Sequence, residues 1–245
     1  RPAPEYAQEE AAPPYDVVDT DEARALAKDK PWSFLHISKP EIDLPQGTDP
    51  YSGEVYAKGA ENMVRMLEEG VLRRDDAPSY YIYRIQMGDH IQTGIGGAGS
   101  VEAYDKNLIR RHELTRPDKE TDRVKQIIAV NAQTGPVFTT HKHDIDLLAL
   151  TEGITLSEPA YSIVGDSGVL HTLWVVTDIP KIGLITESFE RLGVIYVADG
   201  HHRSAAASRV AAERKKSNSS HTGFEPYNTI LVVSFPESEI QVLDY

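Results

Sequence analysis

Val197-Ala198-Asp199-Gly200-His201-His202-Arg203-Ser204 sets two imidazoles, a guanidinium and a hydroxyl directly behind an Asp-Gly step. The apolar run GVIYVA leads in and the alanine-rich run SAAASRVAAERKK leads out, so a strand is expected to become a helix at this point. The first turn of a helix leaves backbone N–H groups without partners and carries partial positive charge, which makes it an anion site. Gly200 lets the backbone turn tightly and approach a ligand. Arg203 can fork onto phosphate oxygens. Asp199, at the strand end, suits a proton acceptor or an indirect Mg²⁺ ligand. Gly200, His201, His202, Arg203 and Ser204 therefore read as a polyphosphate cradle built without a P-loop. The bland reading is a capped helix with surface histidines, but cations at a helix start oppose its dipole.

The second dense polar run is RRHELTRPDKETDR. A carboxylate among cations is commonly just a solvated face. Here the run precedes an expected helix over 118–134, so His112 and Glu113 sit in a loop delivered to a helix start. Glu113 is the candidate general base if it faces the cradle.

Two further patterns compete for attention. GIGGAG fits G-x-G-x-x-G as a string through Gly94, Gly96 and Gly99, but its strand is polar and no long helix follows. It is expected to be a glycine-rich connector. HKH (His141, His143) with His201 and His202 could suggest a metal, yet no H-E-x-x-H is present, and no direct protein metal site is expected.

These residues need a scaffold. The chain has 245 residues, 25 basic and 38 acidic, a net charge of −13 and no cysteine. That excludes disulfides and thiolate chemistry, and it argues against partners that demand basic surface: no nucleic acid and no membrane partner is expected. Without an apolar run of membrane length, a cytoplasmic protein is the default. Expected helices cover "DTDEARALAKDKP", a long segment from Tyr51 with Tyr56, Ala60, Met63 and Leu67 inward, the 118–134 segment with Val124, Ile127, Ile128 and Ala132 inward, "DIDLLALTEG", and a segment capped by Asp178. "PWSFLHIS" and "GPVFTT" read as strands. Hairpins are expected around Gly88-Asp89, across "AYSIVGDSGVLHTLWVVTD", and at the close of the chain, which stops inside an apparent strand and is expected to continue beyond it. The class is α+β, a mixed sheet with hairpins and packed helices. Two regions are expected: residues 1–150, packed on a core formed by 151–245.

Taken in order, RPAPEYAQEEAAPPYDVV, YIYRI, GIGGAGSVEAYDKNLIRRHELTRPDKETDR, GPVF and VADGHHRSAAA resemble a prokaryotic family catalogued as a domain of unknown function. Its members are similar to the ParB/sulfiredoxin-like free-serine kinases. The resemblance implies a ParB/sulfiredoxin-like nucleotide-binding core. It implies that Gly200, His201, His202 and Arg203 bind nucleotide phosphates, with Mg²⁺ accompanying the nucleotide, that Asp199 assists catalysis or Mg²⁺ placement, and that Glu113 accepts the hydroxyl proton of L-serine. His112, Thr115, Arg123 and Trp174 are then the expected acceptor contacts. The donor, ATP or ADP, stays open, as does the oligomeric state. Two rivals remain: a nucleotide phosphohydrolase, and a non-enzymatic nucleotide-binding switch. The APPYD stretch has no assigned chemical role.

Overall fold

A computed structural model describes residues 1–165 and 168–241. In chain order the elements are α1 (Ala7–Glu10), α2 (Thr20–Leu26), α3 (Leu35–Ser38), α4 (Gly53–Glu68), β1 (Tyr80–Met87), β2 (His90–Ser100), α5 (Val101–Asp105), β3 (Ile109–Arg110), α6 (Pro117–Val130), β4 (Val137–His141), α7 (Ile145–Thr155), β5 (Tyr161–Val164), β6 (Leu170–Val176), α8 (Ile179–Leu192), β7 (Ile195–Asp199), α9 (His201–Ser217) and β8 (Thr229–Pro236), with short 3-10 turns between some of them.

The chain forms two compact units, one of residues 1–75 and 116–135, the other of residues 76–115 and 136–245. The expected division at residue 150 differs from this. The reason is pairing: β4 lies between β7 and β8, which holds residues 137–141 in the same sheet as residues 195–236.

The first unit is helical. α4 was expected to face inward through Tyr56, Ala60, Met63 and Leu67, but its buried residues are Val55, Tyr56, Gly59, Asn62 and Met66. Gly59 sits on this face because Pro40 approaches: a Cβ there would come within 2.8 Å of the proline ring. "PWSFLHIS" is not a strand; it contains the single helical turn α3. The carbonyls of that turn are taken by side chains from elsewhere in the unit. Asn62 donates to the His36 carbonyl at 2.7 Å, and Gln126 donates to that of Ile37 at 2.8 Å. Helix ends need such partners when buried, and α4 and α6 supply them here. α6 in turn buries Asp122 and Gln126 beside Val124 and Val130, while Ile128 is exposed.

The second unit is an eight-stranded mixed sheet in the order β3-β7-β4-β8-β2-β1-β6-β5. β1 and β2 form the expected hairpin, with Gly88 at φ +59° in its turn. β5 and β6 form the second hairpin; residues 166 and 167 of its turn lie outside the described residues. Of the expected closing hairpin the first arm is β8, which pairs with β2 on one side and β4 on the other; residues 242–245 of the second arm lie outside the described residues. On one sheet face Val137, Val197, Ile230 and Val232 pack with Ala207 and Ala211 of α9 and with Val101 and Tyr104 of α5. Further along the same face Ile82, Ile95, Trp174 and Val176 pack with Leu147 and Ile154 of α7 and Ile185 of α8. Burying each such Ile or Val is worth about 1.5–3 kcal/mol. α8 is capped as expected, Asp178 accepting from the Lys181 N–H at 3.0 Å.

Candidate functional site

β7 runs into α9 through a single residue, Gly200. Its φ is +93°, the left-handed region that L side chains rarely adopt. The close approach of Val137 and Arg203 leaves little room for a Cβ as well. α9 starts at His201, as the alanine-rich run requires, and its first-turn N–H groups stand at the carboxyl end of β7. Ala205, Ala206 and Ala207 are buried, so small side chains let the helix lie close to the sheet.

β3 runs parallel to β7. Parallel strands end on the same side, so the residues after Arg110 emerge beside the β7–α9 turn. Arg110 lies over the Tyr196 ring at 5.8 Å, and Arg111 over the Tyr104 ring at 5.3 Å. These cation–π contacts hold the RRHE run down on its neighbours. His112 and Glu113 then meet the first residue of α9. Glu113 Oε2 lies 3.6 Å from His201 Nδ1, and Oε1 lies 3.7 Å from His112 Nε2. The two imidazoles meet edge to face, with centroids 4.5 Å apart. The carboxylate is exposed, whereas His201 is buried. Burial holds the His201 pKa below its ordinary value, against the opposing pull of the nearby Glu113 carboxylate.

The other cradle residues are differently employed. Arg203 donates to Asp199 Oδ2 at 2.5 Å and to the Pro136 carbonyl. Its guanidinium thus braces the end of β7 against the residue before β4. Ser204 is fully buried and its hydroxyl donates to the His201 carbonyl at 3.0 Å. Its contribution is structural, through the first turn. Asp199 is an exposed carboxylate with Oδ2 held by Arg203.

Of the four expected acceptor contacts, His112 joins this cluster and Thr115 follows in the same loop, half-buried. Trp174 does not join it. It lies on β6, five strand spacings from β7, about 24 Å at ~4.8 Å per spacing. It is buried there, its indole N–H donating to the Ser157 carbonyl at 2.9 Å. Arg123 belongs to the first unit. It forks onto Asp122 Oδ2 at 2.9 and 2.6 Å beneath the Tyr15 ring, 3.9 Å from its centroid, while the Tyr56 hydroxyl donates to Asp122 Oδ1 at 2.7 Å. This gives the APPYD stretch a role that sequence reading left blank: Tyr15 caps a buried ion pair of its own unit. Asp122, within the run RRHELTRPDKETDR, and the Pro136 carbonyl were also missed: the first reads as one more solvated charge of a polar run, and the second is a backbone group that no side-chain pattern marks.

GIGGAG is neither a connector nor a nucleotide turn. Gly94, Gly96, Gly97 and Gly99 lie inside β2. A Cβ at Gly94 would strike the Phe235 ring at 2.8 Å, and one at Gly97 the Tyr80 ring at 2.8 Å. The glycines admit aromatic rings flat against the strand. His141 is buried at the far end of β4 from the β7–α9 turn, its Nδ1 2.9 Å from Ser234 Oγ. With His143, Asp144, Thr151 and Glu239 it lines a small cavity. No group of three or more metal-ligating side chains able to hold an ion occurs among the described residues. No helix among them is long and apolar enough to cross a membrane.

The family described as "Protein of unknown function (DUF1015)" matches residues 1–245. No curated protein and no solved structure matches the chain.

Proposed function

The chain belongs to this family of unknown function, and we propose that it acts as a small-molecule kinase, transferring a phosphoryl group from ATP or ADP to free L-serine to give O-phospho-L-serine. The observation that carries the reading is the position of Glu113: its carboxylate faces the first residue of α9, the same helix start that Gly200 opens to an anion. A base and an anion site on one end of the sheet are what phosphoryl transfer to an alcohol requires. The motif resemblance to ParB/sulfiredoxin-like free-serine kinases supports the same reading and would make this unit a nucleotide-binding core.

In the proposed reaction the nucleotide phosphates lie on the first-turn N–H groups of α9, with His202 beside them. Arg203 and Gly200 keep the turn in shape. The serine hydroxyl gives its proton to Glu113 as its oxygen bonds to the terminal phosphorus. The bond from that phosphorus to the bridging oxygen breaks, and the shortened nucleotide leaves with the electron pair. Mg²⁺ would arrive with the nucleotide, for which one exposed carboxylate, Asp199, and the phosphates themselves are a sufficient oxygen set. When bound, the ion neutralises phosphate charge. Sulfiredoxin chemistry needs a cysteine, and this sequence contains none.

The test is to measure nucleotide consumption with and without L-serine and to follow O-phosphoserine by ³¹P NMR, with ATP and ADP tried separately. Serine-dependent consumption with stoichiometric phosphoserine is expected. Consumption independent of serine would make the protein a phosphohydrolase, and binding without consumption would make it a switch.

A further inference from the structure

His201 is 5% exposed, and its Nε2 is buried without a hydrogen-bond partner among the described residues. Its Nδ1 looks towards Glu113 Oε2. A neutral imidazole carries one N–H and one lone pair. With the proton on Nε2, an N–H would be buried unpaired while the Nδ1 lone pair opposed a carboxylate. With the proton on Nδ1, the N–H points at that carboxylate and only a lone pair is left at Nε2. Orphaned buried N–H groups are the rarer and costlier case. The second tautomer is therefore the one this site selects. A buried, neutral ring whose donor is directed at Glu113 is poorly suited to balancing phosphate charge.

We infer that His201 is a positioning residue rather than a nucleotide ligand: its Nδ1–H holds Glu113 Oε2, orienting the carboxylate so that Oε1 receives the acceptor's proton. The inference rests on the proposed role of Glu113 as base. The 3.6 Å separation lies just beyond hydrogen-bonding range; closure to about 2.7–3.2 Å completes the bond, as catalytic contacts commonly tighten when substrate binds. His112 flanks Oε1 and packs edge-on against His201, so the carboxylate has an imidazole at each oxygen.

Two measurements on the full chain test this. Histidine ¹⁵N NMR reads the tautomer directly. His201 is expected to be protonated at Nδ1, and Glu113→Ala is expected to shift its ring resonances towards a mixture of tautomers. A proton on Nε2, or a pattern indifferent to Glu113→Ala, overturns the inference whether or not serine is the acceptor. The second measurement is a kinetic split. Asn places its amide near the Nδ1 position and Gln near Nε2. His201→Asn is expected to keep kcat close to wild type, whereas His201→Gln loses about 100-fold, the scale on which misplacing a reacting group acts. The nucleotide KM is expected to be unchanged in both. A raised nucleotide KM with kcat intact in both variants would return His201 to the phosphates and overturn the positioning role. Failure of the wild-type protein to phosphorylate serine would defeat the proposed function, and the resonance measurement would still decide what His201 holds.

Discussion

The Cα of Val137 lies 3.3 Å from the point where a Cβ on Gly200 would stand, and two atoms of the Arg203 guanidinium lie 3.1 Å from it. The turn between β7 and α9 is thus closed on one side by the start of β4 and on the other by the residue that braces it. Gly200→Ala combines a left-handed conformation with these contacts, so we expect a loss of about 1–3 kcal/mol. The urea midpoint of the variant reads this. An unchanged midpoint would mean that the turn has room that the geometry denies.

Arg203→Ala removes the hydrogen bonds to Asp199 and to the Pro136 carbonyl. Bonds to charged groups are worth about 1.5–3 kcal/mol. Asp199 is exposed and regains water, so the expected net loss of stability is about 1–2 kcal/mol. Arg203→Lys keeps the charge but cannot fork and should fall between. Nucleotide affinity, by calorimetry, should drop along with stability, since the same turn presents the N–H groups. A variant of wild-type stability with abolished nucleotide binding would instead make Arg203 a direct phosphate ligand.

Glu113→Gln keeps the size of the side chain and removes its basicity. Serine phosphorylation should fall about 10²–10⁴-fold, the usual scale of general-base assistance, while nucleotide affinity stays near wild type. Rate and affinity measured on the same preparation separate the two. Equal turnover by variant and wild type would move the base to Asp199 or another group.

His141 gives a pH dependence of known sign. Burial lowers its pKa from 6.5 in the unfolded chain to about 4 in the folded protein. Between those values the unfolded state binds more protons, so stability falls as pH drops from 6.5 to about 4 and is level below that. The full effect is about 3 kcal/mol at 1.36 kcal/mol per pH unit. His171 and His201, both also lowered by burial, act in the same direction. His141→Asn retains a polar group near Ser234 Oγ and cannot titrate. Urea midpoints between pH 4 and 7 should therefore vary less in the variant than in wild type.

What was legible in the sequence was local. An apolar run, a glycine and an alanine-rich segment sit consecutively at 194–207, and each acts on its immediate neighbours, so the strand, the turn and the helix start could be read in order. Glu113 could be nominated from its surroundings, but its meeting with His201 depends on β3 lying parallel to β7, which no local pattern encodes. Trp174 failed for the same reason in reverse: an indole on an amphipathic strand reads the same wherever the strand falls in the sheet. α3 was misread because Leu35 and Ile37 alternate around His36 as in a strand, and both are indeed buried. What makes the segment helical is the pair of amides that reach it from Asn62 and Gln126. GIGGAG was legible only as a glycine-rich string. The rings it accommodates, Phe235 and Tyr80, come from opposite flanking strands.

The pairing of β4 bears on how the protein emerges during synthesis. β4 ends at His141, but its neighbours begin only at Ile195 and Thr229. At about 5–20 residues per second, roughly 5–20 s pass between completion of this strand and the appearance of β8. For that interval the central strand of the finished site is a bare edge, able to pair with any other extended chain. The turn at Gly200 gains its full support late, because β4, which closes it, is held by β7 on one side and by β8 on the other. Premature termination anywhere before Thr229 would leave β4 with one edge unpaired, and the shortened product would be a substrate for chaperones and proteases rather than a weakened version of the protein.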